Sequence, residues 1–374
     1  MHLFAQSMET SKPVRTALYG EHLKLNGNIV DFHGFELPIW YTNITQEHLA
    51  CRRESGIFDV SHMGVFRFSG HGVKQWLQGL ASQQVTAIES GRCAYTHFMD
   101  ESGCIIDDMI FAVTSDDEIL GVPNASMIEV MKDWFDAHLT EGITLENLSS
   151  EYSIIALQGP NSKDVCEKVL GKENHIGRFR WKPLSTNELG IDGWIQGTGY
   201  TGENGYEIFI PNQQAPLLWS SLVAAGSTPI GLGARDTLRL EKGYLLSGQD
   251  FAWSKLNDDP FLHRDSWETN VPFGLHLEHE FIGKEKVVSH GTDDARWWGL
   301  VQLEKGPMPR PGKEILSLDG EVCGRLTSGA PSPSLDRTGI GMGYINGVSA
   351  GDEVLIQSSP KKRIRARVVR PPFV

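Results

Sequence analysis

The stretch FRFSGHGVKQWLQGL, residues 66–80, joins a strand pattern to a helix pattern across two glycines. Its first residues alternate between apolar and polar side chains, as in a half-buried strand, and a helix pattern follows Gly70 and Gly72. The stretch IIALQGPNSKDVCEKVL, residues 154–170, has the same order, with Pro160 and Ser162 providing helix-start chemistry. Two such modules predict an α+β fold in which helices cover the sheets.

The last part of the chain, from about Arg296, has a different pattern. Its segments RWWGLVQLE, EILSLDGEVCGRLTSG, GIGMGYI, DEVLIQ and KKRIRARVV are short strands separated by Gly, Pro and an Asp-Gly turn. Such runs are typical of a small antiparallel barrel or sandwich. Between the two parts, residues 256–269 are polar and contain a proline, which indicates a connecting loop.

Length and composition exclude several classes of protein. A chain of 374 residues favours two or three domains. With 34 basic and 47 acidic residues, the net charge of −13 disfavours general binding to nucleic acid or to a membrane surface. No apolar run approaches the ~20 residues of a membrane span, and the first residues lack a signal-peptide core. The 5 cysteines are scattered without CxxC spacing, which favours a reducing compartment over disulfides or structural zinc.

Two adjacent carboxylates, Asp107 and Asp108, interrupt the apolar strand pattern of HFMDESGCIIDDMIF, residues 97–111. Successive strand residues point to opposite faces, so the two acids cannot both reach water if one face packs on a core. An inward carboxylate is costly unless it is paired or hydrogen-bonded, and perturbed acids cluster at functional sites. The alternative is that the strand frays at Asp107 and both acids are exposed.

The stretch GLGARDTLRLEKGYLLSGQD, residues 231–250, resembles a dinucleotide-binding motif but has Asp236 where the third glycine belongs. Arg235 and Arg239 lie on one face of the predicted helix. Arg235 suits a planar acceptor such as a carboxylate or a pterin carbonyl. The alternative is a surface ion pair with an acid such as Glu241.

The stretch GTGYTGENGYEIFIP, residues 197–211, predicts a glycine-rich hairpin that leads into a strand. Glu207 lies on the face opposite Tyr206, Ile208 and Ile210. A carboxylate there can accept two N–H bonds from an aminopyrimidine edge. The alternative is an ordinary exposed glutamate. No metal site is expected, because the histidines of HLEHE lack further ligands at metal-site spacing.

Five basic residues lie on the last predicted strand, at Lys361, Lys362, Arg363, Arg365 and Arg367. They are interpreted as a solvated strand face or as a docking patch for an acidic partner. A nucleic-acid surface comes third, because no aromatic residues alternate with the basic ones.

Several segments, taken in order, resemble the aminomethyltransferase (T-protein) family of the glycine cleavage system. They are residues 15–64, which end in DVSHMG, and the later GCIIDDMI, ALQGP, GYTGENGYEI and GLGARDTLRLEKGYLLSGQD. The resemblance implies a three-domain cloverleaf, with two α/β sandwich-like modules of antiparallel sheets and a small C-terminal β-barrel. The expected division is residues 1–55 with 140–250 for folate binding, 56–139 for the catalytic acid, 251–295 as a connection and 296–374 as the barrel.

The resemblance also implies an activity. The family moves a methylene group from an aminomethylated lipoyl arm on the H-protein to tetrahydrofolate, releases ammonia and leaves 5,10-methylenetetrahydrofolate. Asp108 matches the family's catalytic aspartate. The positions that match folate-cavity residues are Tyr95, Asn124, Tyr200, Glu207, Arg235 and Tyr244. We therefore expect a cytoplasmic enzyme, or a mitochondrial-matrix one if eukaryotic, that uses tetrahydrofolate and a lipoylated partner without metal, nucleic acid or membrane.

The chain departs from the family pattern at two places. Gly197 replaces an arginine before the Gly-Tyr of GYTGE, and TNVPFGLHLE lacks an acid between Pro272 and Gly274. Two other functions remain open. One is a tetrahydrofolate-dependent demethylase or methyltransferase acting on a small N- or S-methyl compound, and the other is a non-catalytic folate-binding relative.

Overall fold

The computed structural model describes residues 12–291 and 294–374. Eight α-helices lie in these two ranges, and four sheets pack with them, so the α+β class is confirmed. The helices are Tyr19–Lys24, Ile44–Arg53, Val73–Leu80, Ile128–Ala137, Ser162–Leu170, Ala215–Ala224, Leu232–Lys242 and Lys284–Val288. Short 3-10 turns are found at Val85–Ala87, Ala125–Met127, Lys172–Asn174, Asn212–Gln214, Pro260–Leu262 and Pro333–Leu335.

A five-stranded antiparallel sheet carries the adjacent carboxylates. Its strands, in spatial order, are Arg92–Met99, Ile105–Ser115, Glu118–Val122, Phe66–Ser69 and Thr144–Asn147. Helices Val73–Leu80 and Ile128–Ala137 cover one face, where Phe68 and Phe135 pack edge to face with ring centroids 4.8 Å apart. The strand–glycine–helix order of residues 66–80 is therefore confirmed.

A six-stranded sheet forms the second large layer. Its strands, in spatial order, are Trp181–Pro183, Trp194–Gln196, Gly205–Pro211, Tyr152–Gln158, Gly56–Asp59 and Thr228–Pro229. Ile208 and Ile210 pack with helices Ser162–Leu170 and Ala215–Ala224 on one side. Phe209 packs on the other side with residues of helices Ile44–Arg53 and Leu232–Lys242. A three-stranded sheet of Val14–Arg15, Phe35–Trp40 and Asn28–Phe32 adjoins this unit.

Strand pairing shifts the expected domain limits by a few residues. Strand Gly56–Asp59 pairs with Tyr152–Gln158 in the six-stranded sheet, and Thr144–Asn147 pairs with Phe66–Ser69 in the five-stranded sheet. A strand belongs to the sheet that satisfies its backbone N–H and C=O groups. We therefore propose that the chain crosses between the two units after Asp59 and after Asn147, in place of the expected limits at 56 and 140.

The C-terminal part forms a closed barrel, as the sequence predicts. Its strands, in order around the barrel, are Arg296–Gln302, Thr338–Ile345, Val322–Ser332, Glu314–Leu316, Glu353–Ser359 and Lys362–Val369. Closure leaves no free sheet edge in this domain. The inward residues Leu300, Ile356 and Val368 are fully buried in its core.

Buried carboxylates connect helix Leu232–Lys242 to the barrel. Asp250 accepts a hydrogen bond from Arg239 Nη1 at 2.6 Å and further bonds from Thr327 and Ser328 on barrel strand Val322–Ser332. One residue before the end of this helix, Glu241 accepts bonds from a second set of donors. Those donors are His48, Arg52, Ser332 and Ser334.

Loop 256–269 lies between the five-stranded sheet and the barrel. The amide of Ile105 donates to the carbonyl of Arg264 at 2.7 Å, and Asp259 pairs with Arg325 of the barrel. The loop is thus anchored on two sides and packs behind the strand that carries the adjacent carboxylates.

Candidate functional site

A cavity of about 420 Å³ opens between the two large sheets and the barrel. Its walls come from all three units, with Asp108 from the five-stranded sheet, Glu207 from the six-stranded sheet and Trp297 from the barrel. The volume lies in the range of about 300–1,000 Å³ that is usual for small-molecule sites.

Every site residue expected from the sequence lines this cavity. They are Tyr95, Asp108, Asn124, Tyr200, Glu207, Arg235 and Tyr244. They come from segments as far apart in the chain as residues 95 and 244, so the tertiary fold brings them together. Their functional roles remain predictions.

The two adjacent carboxylates are held by one amide. Asn124 Nδ2 donates to Oδ1 of Asp107 at 2.8 Å and to Oδ1 of Asp108 at 2.7 Å. Ser247 donates to the same oxygen of Asp107 at 2.8 Å, and Tyr95 Oη donates to Oδ2 of Asp108 at 2.8 Å. Strand Ile105–Ser115 runs through both acids and Asp107 is fully buried, so the fraying alternative is wrong.

Burial sets the electrostatics of this pair. It raises the pKa of Asp107 to about 8, with the neighbouring charge of Asp108 adding to the effect. Burial also raises the pKa of Asp108, against the opposing hydrogen bonds from Tyr95 and Asn124. Within residues 12–291 and 294–374, no Lys, Arg or His forms an ion pair with either acid. The pair therefore binds a proton more readily than two ordinary surface aspartates.

Glu207 presents its carboxylate to the cavity from another wall. It pairs across strands with Gln196, and its Oε2 accepts a hydrogen bond from Thr198. Burial raises the pKa of Glu207, while Thr198 and Arg235 oppose that shift. In the part of the chain that is described, Thr198 is the hydrogen-bond donor to Glu207. The other carboxylate oxygen of Glu207, Oε1, is therefore free to accept from a ligand.

Arg235 lies against an aromatic wall. Its guanidinium carbon is 4.5 Å from the ring centroid of Tyr200, and that ring stacks on Tyr244 with centroids 5.8 Å apart. Burial lowers the pKa of Arg235. Glu241, the alternative ion-pair partner, bonds to Arg52 instead. Arg235 thus adds a cation and a planar donor set to the cavity.

Both departures from the family pattern lie at or beside this cavity. A Cβ atom on Gly197 would meet the carbonyl oxygen of Gly177 at 2.0 Å, so a side chain does not fit there without a backbone shift. Arg178, which follows that carbonyl, lines the cavity instead. The altered segment 270–273 lines the cavity too, and Phe273 packs edge to face on Tyr95 with centroids 5.5 Å apart.

Sequence reasoning missed several residues around the site. Phe179 and Lys242 line the cavity, and Ser247 bonds Asp107 although no spacing pattern indicated it. His97 hydrogen-bonds Tyr95 Oη at 2.9 Å. The spacing of Tyr95 and His97 by two residues could have indicated this contact, because both side chains leave the same face of the strand.

Among the residues that the structure describes, one group of side chains has metal-ligand chemistry. Asp265, Glu268 and His290 bring their oxygen and nitrogen atoms within 4.8 Å of one another. Their atoms already serve internal contacts, because His290 bonds Asp265 and Asp294 while Glu268 bonds Arg264. None of the helices in residues 12–291 and 294–374 combines the length and the apolar composition of a membrane-spanning helix.

Comparison with known proteins identifies two family domains in this chain. Residues 18–257 match the GCVT N-terminal domain, and residues 296–374 match the glycine cleavage T-protein C-terminal barrel domain. An aminomethyltransferase from Prosthecochloris aestuarii is 36% identical over 369 residues, covering 96% of this chain and 99% of the relative. One from Rubrobacter xylanophilus is 37% identical over 366 residues, with 96% and 94% covered.

A solved structure agrees with these sequence matches. The glycine cleavage system aminomethyltransferase T from Bartonella henselae superposes with a TM-score of 0.86 and 25% identity, covering 97% of this chain and 98% of that one. These matches identify as a transferase enzyme the chain whose two helix-covered sheets and closed barrel surround the carboxylate cavity. The chain belongs to the glycine cleavage T-protein family, whose curated relatives are named aminomethyltransferase.

Proposed function

We propose that this enzyme transfers a methylene group from an aminomethylated lipoyl arm to tetrahydrofolate. The products are 5,10-methylenetetrahydrofolate, ammonia and the reduced lipoyl dithiol. The observation that carries the proposal is Asp108, a carboxylate in the cavity wall that accepts bonds from Tyr95 and Asn124 and has no cation partner in the described chain.

The polar groups of the cavity suit a reduced pterin. The free oxygen of Glu207 is an acceptor for the N–H donors of an aminopyrimidine edge. Arg235 offers planar donors to a ring carbonyl, and the stacked rings of Tyr200 and Tyr244 give an apolar wall. The combination of one acid, one arginine and two aromatic rings supports tetrahydrofolate as the acceptor substrate.

Asp108 fits the proton transfers of this reaction. N5 of the folate attacks the methylene carbon, the carbon–sulfur bond breaks, and the thiolate takes one proton. The amine takes up a proton and leaves as ammonia, which breaks the carbon–nitrogen bond and leaves an iminium-like cation on N5. N10 then attacks this cation and loses its proton, so the protons gained by the sulfur and the amine equal those lost from N5 and N10. An ionised carboxylate beside the reacting atoms stabilises the cation and accepts the N10 proton. A carboxylate whose pKa is raised by burial accepts that proton more readily than an exposed one.

The same family assignment supports a proposal for the donor and the compartment. We propose a lipoylated H-protein as the donor, with no resident metal, in the cytoplasm or, if the source is eukaryotic, in the mitochondrial matrix. The exposed basic residues of barrel strand Lys362–Val369 offer a surface for an acidic protein.

The proposal is tested with aminomethylated H-protein and tetrahydrofolate. The wild type is expected to form ammonia and 5,10-methylenetetrahydrofolate in equal amounts. Asp108→Asn should lower turnover by about 100-fold or more, within the usual range for a general base, and leave the folate dissociation constant within about 2-fold. Equal losses in turnover and folate affinity would mean that Asp108 binds folate and does not catalyse.

The same assay tests the two alternative functions against the proposal. Folate binding without product from the aminomethylated H-protein would favour a demethylase or methyltransferase that acts on a small N- or S-methyl compound, or a non-catalytic folate-binding protein. The absence of folate binding in the wild type would remove the basis of the proposal.

A further inference from the structure

A chain of hydrogen bonds leads from the cavity into the interior behind Asp108. Tyr95 Oη lies 2.8 Å from Oδ2 of Asp108 and 2.9 Å from Nε2 of His97. On the far side of the imidazole, Nδ1 of His97 lies 2.8 Å from Oγ of Ser266. His97 and Ser266 are buried and do not line the cavity. This series of hydrogen bonds therefore connects the cavity carboxylate of Asp108 to loop 256–269.

The fold fixes both ends of this series of hydrogen bonds. His97 is the direct cross-strand neighbour of Asp108, and Tyr95 lies two residues earlier on the same strand face. At the other end, Thr269 donates to the carbonyl oxygen of Ser266 at 2.8 Å. The loop is also bonded to the start of the strand that carries Asp108, through the amide of Ile105.

When Asp108 is ionised, only one assignment of donors and acceptors fits this series of hydrogen bonds. A carboxylate only accepts, so the Tyr95 hydroxyl must donate to it. The Tyr95 oxygen is then free to accept, so Nε2 of His97 must carry the ring proton. Nδ1 is left as an acceptor, and Ser266 must donate to it. Protonation of Asp108 at Oδ2 would instead favour the opposite direction, with the ring proton on Nδ1.

We propose that His97 and Ser266 are positioning residues that hold Asp108 in its ionised form through Tyr95. The inference rests on the proposed function, in which Asp108 serves as a base. Ser266 selects the imidazole tautomer, and the imidazole N–H directs the hydroxyl of Tyr95 onto the carboxylate. Hydrogen bonds in such a series strengthen one another. Burial keeps the imidazole uncharged, because it lowers the pKa of His97 to about 3.

Other titratable groups also face Asp108. Asp107 lies beside it on the same strand, and Tyr200 and Asp250 act on it from the hairpin and from the segment after helix Leu232–Lys242. Arg239 pairs with Asp250 and offsets that charge. On the other side of His97, the ring of Phe251 is the packing neighbour, with centroids 6.0 Å apart. None of these groups replaces the N–H that His97 gives to Tyr95.

The first test measures the tautomer of His97 in the free wild-type protein. Selective ¹⁵N-histidine labelling and NMR, with the signal assigned by its loss in His97→Gln, should find the proton on Nε2 near neutral pH. A proton on Nδ1 would overturn the proposal. This measurement needs neither folate nor H-protein, so it stands apart from failure of the proposed function.

The second test measures how turnover depends on pH. His97→Phe removes the donor to Tyr95, so the acid limb of the kcat profile should move to higher pH by about 0.5–1 unit, as expected for one lost hydrogen bond to a charged system. Ser266→Ala should produce a smaller shift in the same direction. His97→Gln, whose amide can donate to Tyr95, should restore part of the wild-type profile.

A matched control removes a different buried hydroxyl from the same loop. Thr269→Val removes the bond to the carbonyl oxygen of Ser266 but keeps the Ser266 hydroxyl that bonds His97, so the acid limb should move less than in Ser266→Ala. Equal profiles for the wild type, His97→Phe and His97→Gln would overturn the proposal. Equal shifts in Ser266→Ala and Thr269→Val would also overturn it, since they would assign the effect to loop packing.

Discussion

Two pairs of buried carboxylates in this protein have opposite surroundings. Asp250 and Glu241, next to the barrel, accept bonds from cations, with Arg239 on the first and Arg52 on the second. Asp107 and Asp108, at the cavity, accept bonds from neutral groups of Asn124, Ser247 and Tyr95. Burial raises the pKa of a carboxylate in both pairs, and it raises that of Asp107 to about 8. At Glu241 the bonds and charge from His48 and the bonds from Ser332 and Ser334 outweigh burial, and its pKa falls to about 2.

These different surroundings suit the two pairs of acids to different roles. A buried carboxylate with a cation and several donors stays ionised and links two units of the fold. A buried carboxylate without a cation has an energetically costly charge, and it can exchange a proton near neutral pH. We therefore propose that a cation beside a buried acid marks a structural link between two units of the fold, and that its absence beside Asp107 and Asp108 marks acids available for proton transfer.

The largest expected effect comes from breaking the buried ion pair between Asp250 and Arg239. Asp250→Asn removes the buried anion of Arg239 and leaves only the half-exposed Asp236 beside it, so we expect a loss of about 3–5 kcal/mol in the free energy of unfolding. Urea denaturation measures it. Asp236→Asn is the matched control, because Asp236 bonds the same guanidinium from a half-exposed position and should cost no more than about 1 kcal/mol. Equal costs would mean that burial does not distinguish the two partners.

The contribution of Asp107 to the free energy of unfolding should change with pH in the opposite sense from that of Glu241. The folded-state pKa of Asp107 lies above its ordinary value of about 3.9. Its contribution to stability is therefore present below the ordinary value and is lost as pH rises through about 8. Asp107→Asn removes that loss, so its stability relative to the wild type should improve between pH 5 and pH 8, by about 1–3 kcal/mol.

Glu241 provides the contrasting measurement. Its folded-state pKa lies below the ordinary value, so its contribution is present above about pH 4.3 and is lost as pH falls towards about 2. Glu241→Gln should therefore be least harmful in acid. A difference between Asp107→Asn and the wild type that stays constant from pH 5 to pH 8 would contradict the contrast between the two pairs.

A smaller effect is expected at the far wall of the cavity. Glu207→Gln keeps the shape of the side chain but removes the charge that would accept the aminopyrimidine N–H groups. The dissociation constant of tetrahydrofolate should rise by about 10- to 100-fold, as expected for loss of a charged hydrogen-bond acceptor. Isothermal titration measures it, with Glu203→Gln as the control, since Glu203 pairs with Arg52 and does not line the cavity. An unchanged constant would remove Glu207 from the folate site.

The smallest expected effect is on the barrel surface. Arg365 already pairs with Glu353, and Arg363 donates to Gln357, so these side chains are solvated and partly neutralised. Reversing both charges with Arg363→Glu and Arg365→Glu should leave the free energy of unfolding nearly unchanged. The KM for the protein donor should rise by about 2- to 10-fold in low salt, and the KM for folate should stay constant. A change in the folate KM alone would exclude this docking surface.

The sequence by itself determined the modules and predicted the residues that line the cavity. Alternation, glycine breaks and short strands predicted the helix-covered sheets and the barrel, because these patterns depend on local periodicity. The order of motifs indicated the family and led to Asp108, Glu207 and Arg235. Strand alternation placed Glu207 on the face opposite Tyr206 and Ile208, because successive strand residues point to opposite faces.

Only the tertiary structure decided which neighbours these residues have. No local pattern indicated that Ser266 of the connecting loop would reach His97, or that Gly56–Asp59 would join the six-stranded sheet. Such contacts depend on long-range packing, which sequence spacing does not encode. The same holds for the two kinds of buried acid, because an aspartate in a strand or after a helix looks alike in sequence until the fold brings a cation to it or leaves it without one.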